Sequence, residues 1–437
     1  MLVTLLKKIL PRWIRSYLLK DYGAEGLLKY FSNTSWSLGG RVATFVTSFL
    51  TIAIVARYLG PENLGKLSYA QSYVAMFSVL ASLGIDQILQ RELTNNPRKH
   101  SELLGTTMIA KLFLGTLTLI LATSISWVTG TEPLITLLIA LTASSFLISP
   151  LSTIGIFFQS EAKAKYSSQV MIFNAFFIPA VKLAIIFFDK GIIYFAGALV
   201  LETLVGVLFL LFVYIHTYKL SPFAWKFSLT LFRSLLHQSW PLALASATSY
   251  VYSKMDQIML MHYLDATAVG LYSAAVKLRD FATIIPGILL SSLLPAVLNS
   301  RLDNQKEYLK RVRSLGKIVC TFSMLIITPI FLFSNFFIST IFGNEFAQAG
   351  AILKIFIWTG IGGIIVAYFR TYLVAEYQTK HYFYATALGV VFNIVLNLLL
   401  IPPYGATGAA TATLLTFVFV ILILLSSASA KKLFART

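Results

Sequence analysis

The residues with chemistry to offer are charged side chains set inside long apolar runs. The basic set is Arg41, Lys111, Lys182, Lys254, Lys277, Arg279 and Lys354, and the acidic set is Asp86, Glu202, Asp256 and Asp280. A charge near the centre of a membrane helix costs at least about 2.5–3.5 kcal/mol, so such groups face a cavity or a partner. Cations outnumber carboxylates here, and fixed cations in low dielectric suit an anionic ligand. A cavity built for cationic compounds should be acidic instead.

Several of these residues have more than one reading. Lys277 falls about 11 residues into its apolar run, hence roughly 16 Å deep at 1.5 Å per residue, near the midplane. It is either a ligand-binding cation or the i+3 partner of Asp280. Arg41 follows Gly39 and Gly40, which would admit a helix or a ligand closely; it binds cargo, snorkels to the near interface or pairs with Asp86. Lys254 and Asp256 form an outer gate or coupling site, or pair with neighbours. Glu202 pairs with Lys182 across a hairpin or serves as a proton-coupling carboxylate. The substrate-binding candidates are therefore Arg41, Lys277, Arg279, Lys111 and Lys182. The gating or coupling candidates are Asp86, Glu202, Lys254, Asp256 and Asp280. Arg370 reads as an interface anchor.

The elements that must position these groups are membrane helices. Of 437 residues, 57% are hydrophobic and 12% charged, where a soluble domain carries roughly a quarter charged. A crossing needs about 20 apolar residues. Candidate spans are 34–58, 66–90, 103–127, 132–158, 170–188, 192–215, 239–261, 266–298, 316–338, 348–369, 380–401 and 405–430. The expected fold is all-α, about twelve transmembrane helices in two six-helix lobes with cytoplasmic termini. Pro286 and Pro295 predict a kink or break in the eighth span.

The formal charge of +18 does not signal nucleic-acid binding. Lys and Arg collect in alternate connecting segments, and the opposite segments hold only Arg57, Lys66 and Lys190, which is the positive-inside pattern. The expected division is an amphipathic interfacial segment 1–31, an N-lobe 32–218, a basic linker 219–238, a C-lobe 239–430 and a basic tail 431–437. No cleavable signal peptide is expected at the start. Cys320 is the single cysteine, so no intramolecular disulfide or cysteine metal site is expected.

An internal duplication is visible. YLGPENLGKLSYA from Tyr58 to Ala70 aligns with YLDATAVGLYSAA from Tyr263 to Ala275. At that constant offset Tyr58 meets Tyr263, Leu59 meets Leu264, Gly65 meets Gly270, Ser68 meets Ser273 and Ala70 meets Ala275. Each copy joins the first and second helix of a six-helix set, so the copies share one orientation, as in parallel-repeat transporters.

The string ARYLGPENLGKLSYAQSYVAMFSVLASLG (56–84) resembles the first-loop signature of polysaccharide-export flippases, and YSKMDQIMLMHYLDATAVGLYSAAVKL (252–278) resembles its second-half counterpart. With length and span count, the resemblance covers nearly the whole chain. It implies the multidrug/oligosaccharidyl-lipid/polysaccharide (MOP) exporter superfamily, and within it the Wzx-like O-antigen repeat-unit flippases. Such proteins have two six-helix lobes, a MATE-like fold, around a central cavity. Lipid II flippases are relatives with an extra helix pair; the AVKL string at Lys277 and the SLGGRVATF string at Arg41 resemble segments where they carry arginines. The resemblance implies alternating-access transport of an undecaprenyl-diphosphate-type oligosaccharide in the bacterial cytoplasmic (inner) membrane, for O-antigen, lipopolysaccharide or capsule assembly. It implies no cofactor, a coupling ion (Na+ or H+) left open, membrane lipids and other polysaccharide-assembly proteins as partners, and no nucleic acid.

Two other functions compete. A cation-coupled multidrug exporter of the same fold conflicts with the basic excess. A glycan polymerase or ligase needs a sizeable outer loop for catalytic groups, and every expected outer loop is about a dozen residues or shorter. No G-x-x-x-x-G-K-[ST] phosphate loop occurs, so ATP hydrolysis by that route is not expected.

Overall fold

The computed structural model describes residues 23–161, 163–216, 218–219, 221, 224–299, 305–427 and 433. Most of the interfacial segment 1–31 and of the tail 431–437 lies outside them. No strand occurs among the described residues. The helices are α1 (Gly23–Ser82), α2 (Ile85–Asn95), α3 (His100–Val128), α4 (Pro133–Ala143), α5 (Ser145–Ile148), α6 (Thr153–Ser160), α7 (Ala164–Phe187), α8 (Ile192–His216), α9 (Leu229–Tyr263), α10 (Ala266–Asn299), α11 (Gln305–Leu332), α12 (Ser334–Phe342), α13 (Ala349–Phe356), α14 (Trp358–Ala375) and α15 (Thr379–Leu425).

Two of these are bent pairs of rods. α1 reverses at Gly60, whose φ of 71° is open to glycine at little cost. Pro61 then starts the second rod, where its missing N–H and fixed φ do no harm. α15 reverses in the same way at Gly405, φ 59°. The expected loop from Tyr58 to Lys66 is thus a one-residue turn, and its polar string is the first turn of a helix. Lys66 pairs there with Glu62 and with Glu132, at 3.1 Å each.

Among the described residues eight helical stretches are long and apolar enough to cross a membrane, α1 and α15 each counting as one, as do α4 to α6 together and α13 with α14. α9 and α10 have ample length, 35 and 34 residues, but carry the charges singled out above. The expected span 66–90 differs from the structure. The second rod ends at Ser82, Leu83 and Gly84 take positive φ, and α2 follows as a separate helix. The cause is close packing, because a Cβ on Gly84 would stand 3.0 Å from Ala243 N on α9. Of the kink or break expected at Pro286 and Pro295, the break does not occur: α10 runs as one helix through both. Proline is tolerated in packed membrane helices because neighbours re-satisfy the freed carbonyl.

Successive rods alternate in direction, and the turns of both lobes gather at one end. There Arg57 Nε donates to Ile341 O at 3.0 Å, and its Nη2 to Thr340 O. Tyr58 OH donates to Asp189 at 2.7 Å. α2, the residues around Trp225 and the end of α8 lie at the opposite end, where Trp225 Nε1 donates to Tyr214 OH at 3.0 Å.

The lobes meet most closely where the second rod of α1 crosses α10. A Cβ on Gly65 would stand 1.7 Å from Ala266 O, and one on Gly270 would stand 1.9 Å from Pro61 O. Below the crossing Ser72 Oγ donates to Gln257 Oε1, whose amide donates to Ser273 Oγ at 3.2 Å. Ala70 and Ala275 are fully buried. Gly65 and Gly270, matched in the duplication, therefore face each other across the seam.

Candidate functional site

Four of the expected cations converge where the lobes meet. Lys182 on α7 lies within electrostatic reach of Glu202 on α8 and of Lys277 on α10. Lys254 on α9 is in reach of Lys277, Asp280 and Arg279. Lys277 is exposed within the fold, whereas Lys182, Lys254 and Arg279 are half-buried. Arg279 Nη1 contacts Asp280 Oδ1 at 3.3 Å, and its guanidinium sits 4.8 Å over the Phe356 ring. Its Nε is buried without a hydrogen-bond partner. Asp280 is thus engaged by Arg279. By helix rise, Lys277, Lys254 and Glu202 lie about 14–16 Å below the end that carries Gly60, and Lys182 about 8 Å below it.

The other expected residues are placed elsewhere. Lys111, buried on α3, donates to Asp86 Oδ1 at 2.9 Å and Oδ2 at 3.3 Å. This pair holds α2 against α3 at the end opposite Gly60. Arg41 lies on α1, and its side chain falls outside the described residues. Lys354 and Arg370 are exposed.

Asp256 points away from Lys254, as a two-residue step on a helix requires. It is 5% exposed and sealed in the C-lobe. Tyr272 OH donates to its Oδ2 at 2.5 Å, Thr413 Oγ1 to the same oxygen at 2.8 Å, and Asn397 Nδ2 to Oδ1 at 2.6 Å. Asn397 also donates to Asn393 Oδ1 at 3.1 Å, and Asn393 to Thr416 at 3.3 Å. A buried carboxylate survives only with such partners. The Asn397 Oδ1 remains without one. The oxygens gathered here, on α9, α10 and both rods of α15, suit a small hard cation or a proton.

The surroundings of Asp256 were missed in the sequence, although a signal existed. Asn393 and Asn397 are spaced i, i+4 in an apolar run, which puts two amides on one face of a buried helix.

The chain and its fold resemble known proteins. The model for the family described as polysaccharide biosynthesis protein matches residues 31–299. The chain belongs to the polysaccharide biosynthesis protein family. A second model, MatE, matches residues 241–399. The probable low-salt glycan biosynthesis flippase Agl15 of Haloferax volcanii is 30% identical over 189 residues, 42% of this chain and 39% of its own length. The capsular polysaccharide biosynthesis protein CapF of Staphylococcus aureus is 24% identical over 412 residues, 89% of this chain and 97% of its own.

Among solved structures, the lipid II flippase MurJ in an inward closed conformation superposes with a TM-score of 0.75 at 14% identity, covering 91% of this chain and 87% of that one. A MATE multidrug transporter of the MOP superfamily follows at 0.70 in its inward-facing conformation and 0.54 in an outward-facing one, each at 14% identity and covering 90% and 96%. This member of the polysaccharide biosynthesis family thus has the MOP transporter fold.

Proposed function

We propose that the chain is a flippase that carries a polyprenyl-diphosphate-linked oligosaccharide repeat unit, of the undecaprenyl type, across the bacterial cytoplasmic membrane for O-antigen or capsule assembly. The supporting observation is the convergence of Lys182 from one lobe with Lys254, Lys277 and Arg279 from the other. Cations held by both lobes can neutralise a diphosphate in low dielectric, and rocking of the lobes would carry it from one side to the other. The names of the relatives and of MurJ support the same reading.

In this reading the two rods of α1 and of α15, with α9 and α10, complete twelve spans. Both termini and the basic linker 219–238 are cytoplasmic, joining lobes 32–218 and 239–430, and the Gly60 end faces outward. The diphosphate rests on Lys182, Lys277 and Arg279, with Arg41 guarding the path from the near interface, and the polyprenyl tail stays in lipid between helices. Asp256 is the coupling carboxylate, loading Na+ or H+ in the C-lobe. Glu202 and Asp280 balance the cluster's charge as it empties, and Lys254 gates the cluster beside them. Lys111 and Asp86 act together as the brace of α2.

The experiment is made in a deletion strain. Lipid extracts are assayed for polyprenyl-diphosphate-linked repeat units, and the surface for finished glycan. Internal accumulation with surface loss, restored by the wild-type gene and not by Lys277→Ala, is the expected result. Unchanged intermediates and glycan would reject the reading. The second reading, a cation-coupled drug exporter, is favoured by the MatE match over residues 241–399, and drug sensitivity of the same strain would reveal it.

A further inference from the structure

A second polar site lies within the N-lobe, away from the cation cluster. A cavity of about 360 Å³ opens between α2, α6, α7 and α8 at the end opposite Gly60. Its polar walls are Asp86, Gln87 and Gln90 on α2, Ser152 and Gln159 beside or on α6, and Ser167 on α7. The amphipathic pattern of α2 sets this up. Ile85, Ile88, Leu89 and Leu93 are buried, so the acid and the two amides fall on the remaining face.

The fold keeps the space open. The span Pro133–Ser160 is interrupted by a 3-10 turn at Ser149–Ser152, and irregular backbone at membrane depth is tolerated where it lines a wet cavity. Gly155 adds no side chain to the wall; a Cβ there would meet Leu210 Cδ1 at 3.4 Å and Ser167 Oγ at 3.8 Å. The Ser167 hydroxyl is buried and has no hydrogen-bond partner among the described residues.

The chemistry of the walls selects the ligand. Amides and hydroxyls both donate and accept, as sugar hydroxyls do. The lining holds no cation to attract a phosphate. Its one carboxylate is already matched by Lys111 at 2.9 Å, which weakens it for a cationic drug and leaves lone pairs free to accept from hydroxyls. Ser167 is 15 residues before Lys182 on α7, about 22 Å along the helix, so the cavity is a separate station from the cluster.

We propose that this cavity is the subsite for the sugar portion of the cargo, binding neutral sugar hydroxyls through Gln87, Gln90, Gln159, Ser152, Ser167 and Asp86. The inference rests on the flippase reading and extends it from the diphosphate to the saccharide.

The test uses the full chain in lipid nanodiscs and measures binding of two probes. One is bare undecaprenyl diphosphate; the other is the sugar-bearing lipid pool extracted from source cells that lack the chain. The wild type binds the sugar-bearing pool about tenfold or more tighter than the bare lipid, as several hydrogen bonds would give. The double variant Gln87→Ala/Gln90→Ala and the cavity-filling Gly155→Val each bring sugar-bearing affinity down to the bare level, and leave bare-lipid affinity within about twofold. Lys277→Ala weakens both probes. Equal wild-type affinity for the two probes, or cavity variants that weaken both alike, overturns the sugar subsite and leaves the flippase reading standing. Failure of the wild type to bind either probe overturns both.

Discussion

Gly65 and Gly270, equivalent positions in the two halves of the sequence, press against each other where α1 crosses α10. A side chain on either would collide with backbone of the other helix, at 1.7 Å from Ala266 O or 1.9 Å from Pro61 O. Neither position has slack.

A bulky residue at this crossing should therefore hold the lobes apart. Gly65→Leu is expected to favour the outward-open arrangement, since overpacking typically costs about 1–3 kcal/mol. In a background with Cys320→Ala and Ser72→Cys, a membrane-impermeant thiol reagent should label the Gly65→Leu variant from outside about tenfold faster than its parent. Unchanged labelling would mean that the crossing does not gate.

Cations on opposite lobes should not substitute for one another. Lys182→Ala and Lys277→Ala are each expected to cut lipid-linked oligosaccharide transport by about tenfold or more, a loss of at least one charge-assisted contact. Protein levels in the membrane should stay unchanged. Transport in proteoliposomes gives the readout, and wild-type rates in both variants would remove the cluster from the mechanism.

Asp256 separates coupling from stability. Asp256→Ala leaves Tyr272, Asn397 and Thr413 without their shared acceptor, at about 1–3 kcal/mol for each stranded group, so melting should fall by several degrees. Asp256→Asn keeps an acceptor and should melt close to wild type. If Asp256 loads the coupling ion, thermal stabilisation by Na+, or a pH-dependent transport rate when the ion is H+, should disappear in the Asn variant. Retention of both would assign Asp256 to packing alone.

The Lys111–Asp86 pair should behave as a brace. Asp86→Asn leaves a buried ammonium uncompensated, and the cost is about 3 kcal/mol, the low end for such a pair, because the Asp86 side chain is 43% exposed. The swapped pair Asp86→Lys/Lys111→Asp should recover part of the lost melting temperature. No recovery would argue against direct pairing.

Much of the fold was legible in the sequence because lipid imposes it. Span lengths follow bilayer thickness. The duplication marked Gly65 and Gly270 before their contact was visible. The short turn at Gly60 was not legible, because Pro61, Glu62, Asn63 and Lys66 read as a polar loop and also as a helix start. The cation cluster was legible as a set of residues, since charge in an apolar run is conspicuous. Its convergence was not, because helix rotation decides which charges meet. The Asp256 surroundings were hidden for a different reason: amides and hydroxyls in membrane helices serve packing as often as binding.

α1 changes direction at one residue, where connections commonly have about 4–6. No loop lies between the rod that carries Gly65 and the rod that carries Arg57, so neither can shift without dragging the other. Arg57 in turn grips Thr340 and Ile341 of the far lobe. The two rods and that grip therefore act as one lever with its fulcrum at Gly60, and parting the seam pulls directly on α12.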